Sequence, residues 1–291
     1  MLRRFFSHPV QGLAGHLFFA LIRLLPIAVA SGLGGWIGRT IGPRLGITRR
    51  ARRNLKNAFP EMSDADMEII ISNMWDNLCR TVMEYPLLGR IQVYTDNPHV
   101  EVVGVEHLDN LRDDGNPGIF FSGHLANWEI PAISITKRGL ESHLVYRAPN
   151  NPYVDGLFQR RHLKDGTLIP KGPTGARLAL KALANGGHLG MLVDQKMNDG
   201  IAAPLFGRDA MTAPALAQLA LKFDCPVVPV RCERVGGASF RITCYPPIDL
   251  APSGNRTADV LRITTEVNRI LEGWIREQPA QWLWLHNRWP D

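Results

Sequence analysis

His124 and Glu129 are the residues whose types and spacing most directly suggest chemistry. They lie in the run Ser122-Gly123-His124-Leu125-Ala126-Asn127-Trp128-Glu129, straight after the apolar stretch Gly118-Ile119-Phe120-Phe121. An imidazole takes up a proton near neutral pH, and a carboxylate can fix its tautomer and stabilise the cation that forms. Within one continuous helix, residues five apart point about 140° away from each other. The pair therefore meets only if His124 sits in a turn and Glu129 in the first helical turn beyond it. Ser122 and Gly123 are small enough to allow that turn. On spacing alone the signal is weak, because a His and a Glu five apart recur by chance.

Positioning such a pair calls for a strand end followed by a helix start, and the chain supplies both in alternation. Strands are expected near 100–103, 119–121, 143–146, 167–169, 188–193, 227–231 and 240–244. Helices are expected at about 63–88, 127–137, 152–162, 175–184, 215–223 and 258–276, with Ser63, Thr174 and Thr257 as N-caps. This alternation predicts an α/β fold with a largely parallel central sheet flanked by helices. Ligands in such sheets sit at the carboxyl ends of the strands. The residues placed there are His124, Arg147, Lys171 and Asp194. Four polar groups thus converge on one edge of an apolar sheet.

The chain has 291 residues, 45% hydrophobic and 21% charged, enough for one large domain or two small ones. Its four cysteines form no Cys-x-x-Cys pair and no zinc-like spacing, so they read as reduced, buried thiols and no metal is expected. No P-loop, Gly-x-Gly-x-x-Gly or His-Glu-x-x-His occurs, which removes the usual support for nucleotide and zinc-protease chemistry.

The net charge of +6 is unevenly spread. Residues 1–60 hold ten Lys/Arg and no acid, whereas the other 231 hold 23 basic and 27 acidic side chains. From Leu13 to Ile47 only Arg23, Arg39 and Arg44 are charged. The longest uncharged run, Leu24–Gly38, has 15 residues, short of the roughly 20 a simple spanning helix needs. Residues 1–60 are expected to form a basic, hydrophobic helical membrane anchor, spanning or interfacial, ahead of a catalytic domain at 61–291. Arg49, Arg50, Arg52, Arg53 and Lys56 would then face anionic headgroups. A buried helical hairpin with a solvated basic face is the alternative. No aromatic residues interleave the 49–56 cluster, so nucleic acid is not an expected partner.

His124-x4-Glu129, with Ser122-Gly123 before it and Asn127-Trp128 inside it, resembles the His-x4-Asp/Glu motif of the lysophospholipid acyltransferase superfamily. The Glu form with Asn-Trp is similar to the late acyltransferases of lipid A biosynthesis. Further matches follow in order: Arg147, Asn151-Pro152, Arg160-Arg161, Leu168-Ile169-Pro170, Asp194-Gln195 and Pro204-Leu205-Phe206-Gly207-Arg208 with Thr212. The closing run Gln281–Trp289 resembles the family's Trp-x-x-x-x-Arg-Trp/Phe signature. Leu205-Phe206-Gly207 departs from the commoner Phe-Phe-Gly.

The resemblance implies a glycerolipid acyltransferase-like fold and an O-acyltransferase without cofactor. His124 would be the general base, with Glu129 orienting it. Arg160, Arg161 and Arg147 would hold an oxyanion or acceptor phosphate. Asp194 and Gln195 would position substrate, and Phe206, Gly207 and Thr212 would line an acyl channel. Acyl carrier protein is the implied donor, a glycolipid lipid A precursor the acceptor, and the cytoplasmic face of the bacterial inner membrane the place. A relative acting on a phosphatidylinositol mannoside or lysophospholipid, or a catalytically silent membrane adaptor, are the alternatives.

Overall fold

The computed structural model describes residues 2–149, 151–156 and 166–289. Its strands are β1 (Val100–Val103), β2 (Gly118–Ser122), β3 (Ser142–Tyr146), β4 (Thr167–Pro170), β5 (His188–Leu192), β6 (Ile201–Leu205), β7 (Arg208–Thr212), β8 (Val227–Gly236) and β9 (Ser239–Cys244). Seven of them form one sheet in the order β1-β9-β8-β2-β5-β3-β4. All neighbouring pairs in it are parallel except β8–β9, which form an antiparallel hairpin. Strands β6 and β7 pair separately as an antiparallel hairpin.

The helices are α1 (Leu2–Ile22), α2 (Ile27–Ile41), α3 (Thr48–Ala58), α4 (Asp64–Glu84), α5 (Glu106–Asp113), α6 (Ile130–Lys137), α7 (Pro173–Ala184), α8 (Ala215–Phe223) and α9 (Arg256–Glu277). Strand β2 is buried along its whole length, which its continuous apolar sequence requires. Ile119 and Phe121 point into a core shared with Ile263, Val267 and Leu271 of α9. Phe120 points the other way, towards Ile130 and Ile133 of α6. The result is a three-layer α/β arrangement with the sheet in the middle. Ala51, Leu55 and Ala58 of α3 belong to the larger core.

Ser63 caps α4 as expected, accepting the Asp66 N–H. Two other caps differ. Asn255, not Thr257, caps α9 by accepting from the Ala258 N–H. Helix α7 opens on Gly172 with Pro173 as its first residue, where a proline's fixed φ and missing N–H suit the position. Residues 152–156 are helical, and the remainder of the helix expected to 162 lies outside the described residues.

Among the described residues, no helix is long and apolar enough to cross a membrane, so the spanning form of the anchor is not supported. Helix α2 is apolar, but its 15 residues rise only about 22 Å against roughly 30 Å of hydrocarbon. Its glycines have a different use. Gly34, Gly35 and Gly38, with Ser31, are buried against α4. A Cβ added at Gly38 would strike the Trp75 carbonyl oxygen, so the two backbones lie closer than any side chain would allow. The large apolar residues of this region turn outward: Leu13, Leu17, Leu21, Leu24, Val29, Leu33 and Trp36 are all exposed.

Candidate active site

The turn from β2 into α6 is held from three sides. Ala126 adopts a left-handed conformation (φ +49°), which costs a non-glycine residue about 1–2 kcal/mol. Its carbonyl accepts from Asn77 Nδ2 (3.0 Å) and Thr81 Oγ1 (3.1 Å) of α4, and its N–H donates to the Gln281 carbonyl (2.9 Å). The buried Asn127 donates from Nδ2 to Glu84 Oε2 (2.8 Å) and accepts the Glu129 N–H on Oδ1 (3.2 Å). Glu84, itself fully buried, is paired with Arg234 at 2.5 Å and accepts from Ser31 Oγ at 2.7 Å. One buried carboxylate therefore ties α2, α4 and β8 to the turn that carries His124.

The carboxylate on the imidazole is Asp194. His124 Nδ1 lies 2.7 Å from Asp194 Oδ1, while Asp194 Oδ2 accepts the His124 backbone N–H (2.8 Å) and Trp282 Nε1–H (2.8 Å). Parallel pairing of β2 with β5 brings the two ends together across 70 residues of sequence, a contact no local spacing can reveal. Asp194 is 1% exposed. Burial alone would raise its carboxyl, but the His124 charge and hydrogen bonds outweigh it and hold the group well below the usual carboxylate range.

An ionised Asp194 fixes the proton of a neutral His124 on Nδ1 and leaves a lone pair on Nε2. Gln195 Nε2 sits 3.2 Å from that nitrogen, and Lys171 Nζ donates to Gln195 Oε1 at 3.2 Å. Loss of water lowers the Lys171 ammonium from its ordinary value; Asp194 opposes the shift and Arg147 adds to it. The His286 ring stands edge-on to His124, with centroids 5.0 Å apart, and burial pushes its pKa down to about 4. His286 is therefore neutral at pH 7.

A cavity of about 290 Å³ opens beside His124. Its polar end holds His124, Glu129, Arg147, Lys171 and Gln195, and its apolar part is formed by Phe120, Leu144, Leu168, Gly190 and Leu192, with Trp128 and Pro131 over them. Strand alternation puts these sheet residues on one face. At Gly190 a Cβ would come within 2.5 Å of the Phe120 ring and 2.7 Å of Leu144, so the glycine is what lets those two cavity-lining side chains close over the strand.

Of the residues singled out from sequence, His124, Glu129, Arg147, Asp194 and Gln195 come together here. Arg160 and Arg161 lie outside the described residues. Phe206, Gly207 and Thr212 are elsewhere. Phe206 and Gly207 make the β6–β7 turn, with Phe206 packed on Phe59, Trp284 and Trp289, and Thr212 Oγ1 accepts from Arg288 and Asn268. Phe206 and Thr212 are buried beneath the hairpin and Gly207 is exposed at its turn; none of the three lines the cavity beside His124. Arg288, from the closing aromatic run, is fully buried and donates to Met211 and Thr212. The backbone N–H groups of His124 and Leu125 donate to Asp194 and Gly123 and so are not available to an oxyanion. Trp282 and His286 had no sequence signal beyond their place in an aromatic tail.

His124, Asp194 and His286 offer ligand atoms within 4.8 Å of one another, the one such trio among the described residues. Both Asp194 oxygens, however, are already occupied by N–H donors, which suits a hydrogen-bonded dyad better than a cation.

A family model for bacterial lipid A biosynthesis acyltransferases matches residues 3–291. The chain belongs to that family. Lipid A biosynthesis acyltransferase 2 of Shigella flexneri is 24% identical over 266 residues, 88% of this chain and 81% of the relative. The lipid A biosynthesis lauroyltransferase of Escherichia coli (strain K12) is 26% identical over 289 residues, 92% and 87% of the two chains. A phosphatidylinositol mannoside acyltransferase of Mycolicibacterium smegmatis is also similar, at 23% over 282 residues, 92% and 88%. As a lipid A acyltransferase family member, the protein is an enzyme of acyl transfer that uses a lipid acceptor.

Proposed function

We propose that the protein moves a fatty acyl chain from acyl carrier protein to a hydroxyl of a lipid A precursor, at the cytoplasmic face of the bacterial inner membrane. The observation that carries this reading is the Nε2 lone pair of His124 placed at the polar end of an apolar cavity. Nε2 takes the proton of the acceptor hydroxyl as its oxygen attacks the thioester carbonyl. The C–S bond then breaks, and the thiolate recovers that proton from the imidazolium. Asp194 stabilises the imidazolium directly, and Glu129, on the same cavity wall, adds negative potential around it. Arg147 and Lys171 supply positive charge for the oxyanion or an acceptor phosphate.

An interfacial seat agrees with the outward Leu13, Leu17, Leu21, Leu33 and Trp36 and with the basic helix α3. Mass spectrometry of lipid A from cells lacking the protein tests the acceptor and the acyl chain together. Loss of one secondary acyl chain is expected. Transfer by the purified enzyme only to a phosphatidylinositol mannoside or lysophospholipid would overturn the lipid A assignment, and equal rates with coenzyme A thioesters would overturn the donor.

A further inference from the structure

Lys171, Gln195, His124 and Asp194 form one chain of hydrogen bonds whose polarity is fixed at both ends. Asp194 only accepts, so Nδ1 carries the proton and Nε2 the lone pair. Lys171 only donates, so the amide oxygen of Gln195 faces it and the amide NH2 faces Nε2. The two requirements agree, and the lone pair that would activate a hydroxyl is occupied by a neighbouring side chain. The group securing that neighbour is a cation lining the cavity, close enough to a second one, Arg147, to feel its charge.

We propose that Gln195 caps the catalytic base in the resting enzyme and that a phosphate group binding at Lys171 and Arg147 releases the cap. The inference rests on the acyl-transfer reading above. A phosphate oxygen competes for Lys171 better than an amide carbonyl, because it brings full negative charge to two neighbouring cations, whereas the amide offers only a dipole. Once Lys171 turns to the phosphate, the Gln195 oxygen loses its donor, the amide is free to rotate, and Nε2 opens to a hydroxyl. The arrangement guards the thioester. With the cap in place, Nε2 activates no water, so a bound donor survives until phosphate arrives. The phosphate can be carried by the lipid acceptor or by the pantetheine arm of the donor.

The test is thioester hydrolysis by the purified full-length enzyme without a hydroxyl acceptor. In that side reaction water attacks the carbonyl carbon, Nε2 takes its proton, the C–S bond breaks and the thiolate is protonated, giving fatty acid and free thiol. With a phosphate-free acyl-pantetheine, Gln195→Ala is expected to hydrolyse about tenfold faster than wild type, the effect of one hydrogen bond to the base. Lys171→Gln should also lose its response to added phosphate, and His124→Ala in the Gln195→Ala background should abolish the gain. Stimulation of the wild type by acyl-phosphopantetheine alone identifies the donor as the phosphate source. Stimulation only by a phosphorylated, hydroxyl-blocked disaccharide identifies the acceptor. A folded Gln195→Ala variant no faster than wild type, in a preparation whose wild type does transfer acyl chains, overturns the cap. A wild type that transfers to no hydroxyl overturns the acyl-transfer reading instead.

Discussion

Replacing Asp194 by asparagine changes almost no volume and reverses the logic of the dyad. Asp194 Oδ2 accepts two N–H groups that cannot turn away, from the His124 backbone and the Trp282 indole, and Oδ1 accepts Nδ1–H. Asparagine offers one oxygen and one NH2. With the oxygen towards the two fixed donors, the NH2 faces Nδ1, which must then carry the lone pair, and the proton moves to Nε2. The opposite orientation sets NH2 against two buried N–H groups, at about 1–3 kcal/mol for each unmatched donor. The wrong tautomer therefore wins. Activity loses a charge-assisted hydrogen bond, about 1.5–3 kcal/mol, and a similar 1–3 kcal/mol to restore the productive tautomer. The sum of roughly 2.5–6 kcal/mol corresponds to a fall of about 70-fold to 25,000-fold in kcat. Acyl transfer measured with varied acceptor gives kcat and KM separately, and ¹⁵N NMR of labelled histidine reports the tautomer. A variant within about threefold of wild-type kcat, or one whose His124 keeps its proton on Nδ1, would refute the reasoning.

Three further outcomes follow from the packing and charges. Arg234→Met leaves the buried Glu84 without its cation and should cost about 3–5 kcal/mol, read as a lowered Tm; adding Glu84→Gln should recover part of the loss. Gly190→Ala forces the Phe120 ring and Leu144 off the strand into the cavity they line, so acyl-chain preference should move to shorter donors, by about fourfold per excluded methylene; an unchanged chain-length profile counts against that groove as the acyl site. Burial lowers His286 from 6.5 to about 4, so between those values the unfolded chain binds the extra proton and stability rises with pH. Acidification from pH 7 to pH 5 should remove about 2 kcal/mol from this source, and urea titrations of His286→Gln should lack that component. Asp194 does not contribute to that slope, since its carboxyl is ionised in both states throughout the range.

Much of the catalytic edge was legible because an α/β alternation assigns residues to strand ends before any contact is known. His124, Arg147, Lys171 and Asp194 were placed that way, and all four meet at one cavity mouth or touch a residue that does. What stayed hidden was the order of the strands. β2 lies beside β5 rather than β3, and that adjacency gives His124 the partner Asp194. Glu129 stood out from sequence because it is local, though the structure also puts it on the cavity wall. The hairpin β6–β7 and helix α5 are hard to read because they are short: β6 carries Pro204 and small alanines, β7 has mixed polarity, and α5 shows only two apolar residues. Phe206 and Thr212 are channel residues only by their place in a motif; the structure sets them against Trp284, Arg288 and Asn268, away from the cavity beside His124. Trp282 bonds Asp194 from the far end of the chain, which periodicity cannot show.

Helix α2 inverts the usual amphipathic plan. A water-soluble helix hides its bulky side chains and shows its small or polar ones, yet here Gly34, Gly35, Gly38 and Ser31 meet the protein while Val29, Leu33 and Trp36 face out. Its grip on α4 comes from backbone proximity and dispersion, joined by the Ser31–Glu84 hydrogen bond and the Arg39–Asp76 ion pair, leaving the outward greasy side chains without a part in that contact. Mutational tolerance should therefore split cleanly along the helix: enlarging the inner residues unseats the element, whereas trimming the outer ones leaves the fold intact. It also sets the protein's behaviour on the bench. In plain buffer the outer face should drive clumping, and detergent or lipid at that face should restore single particles without altering the chemistry at His124.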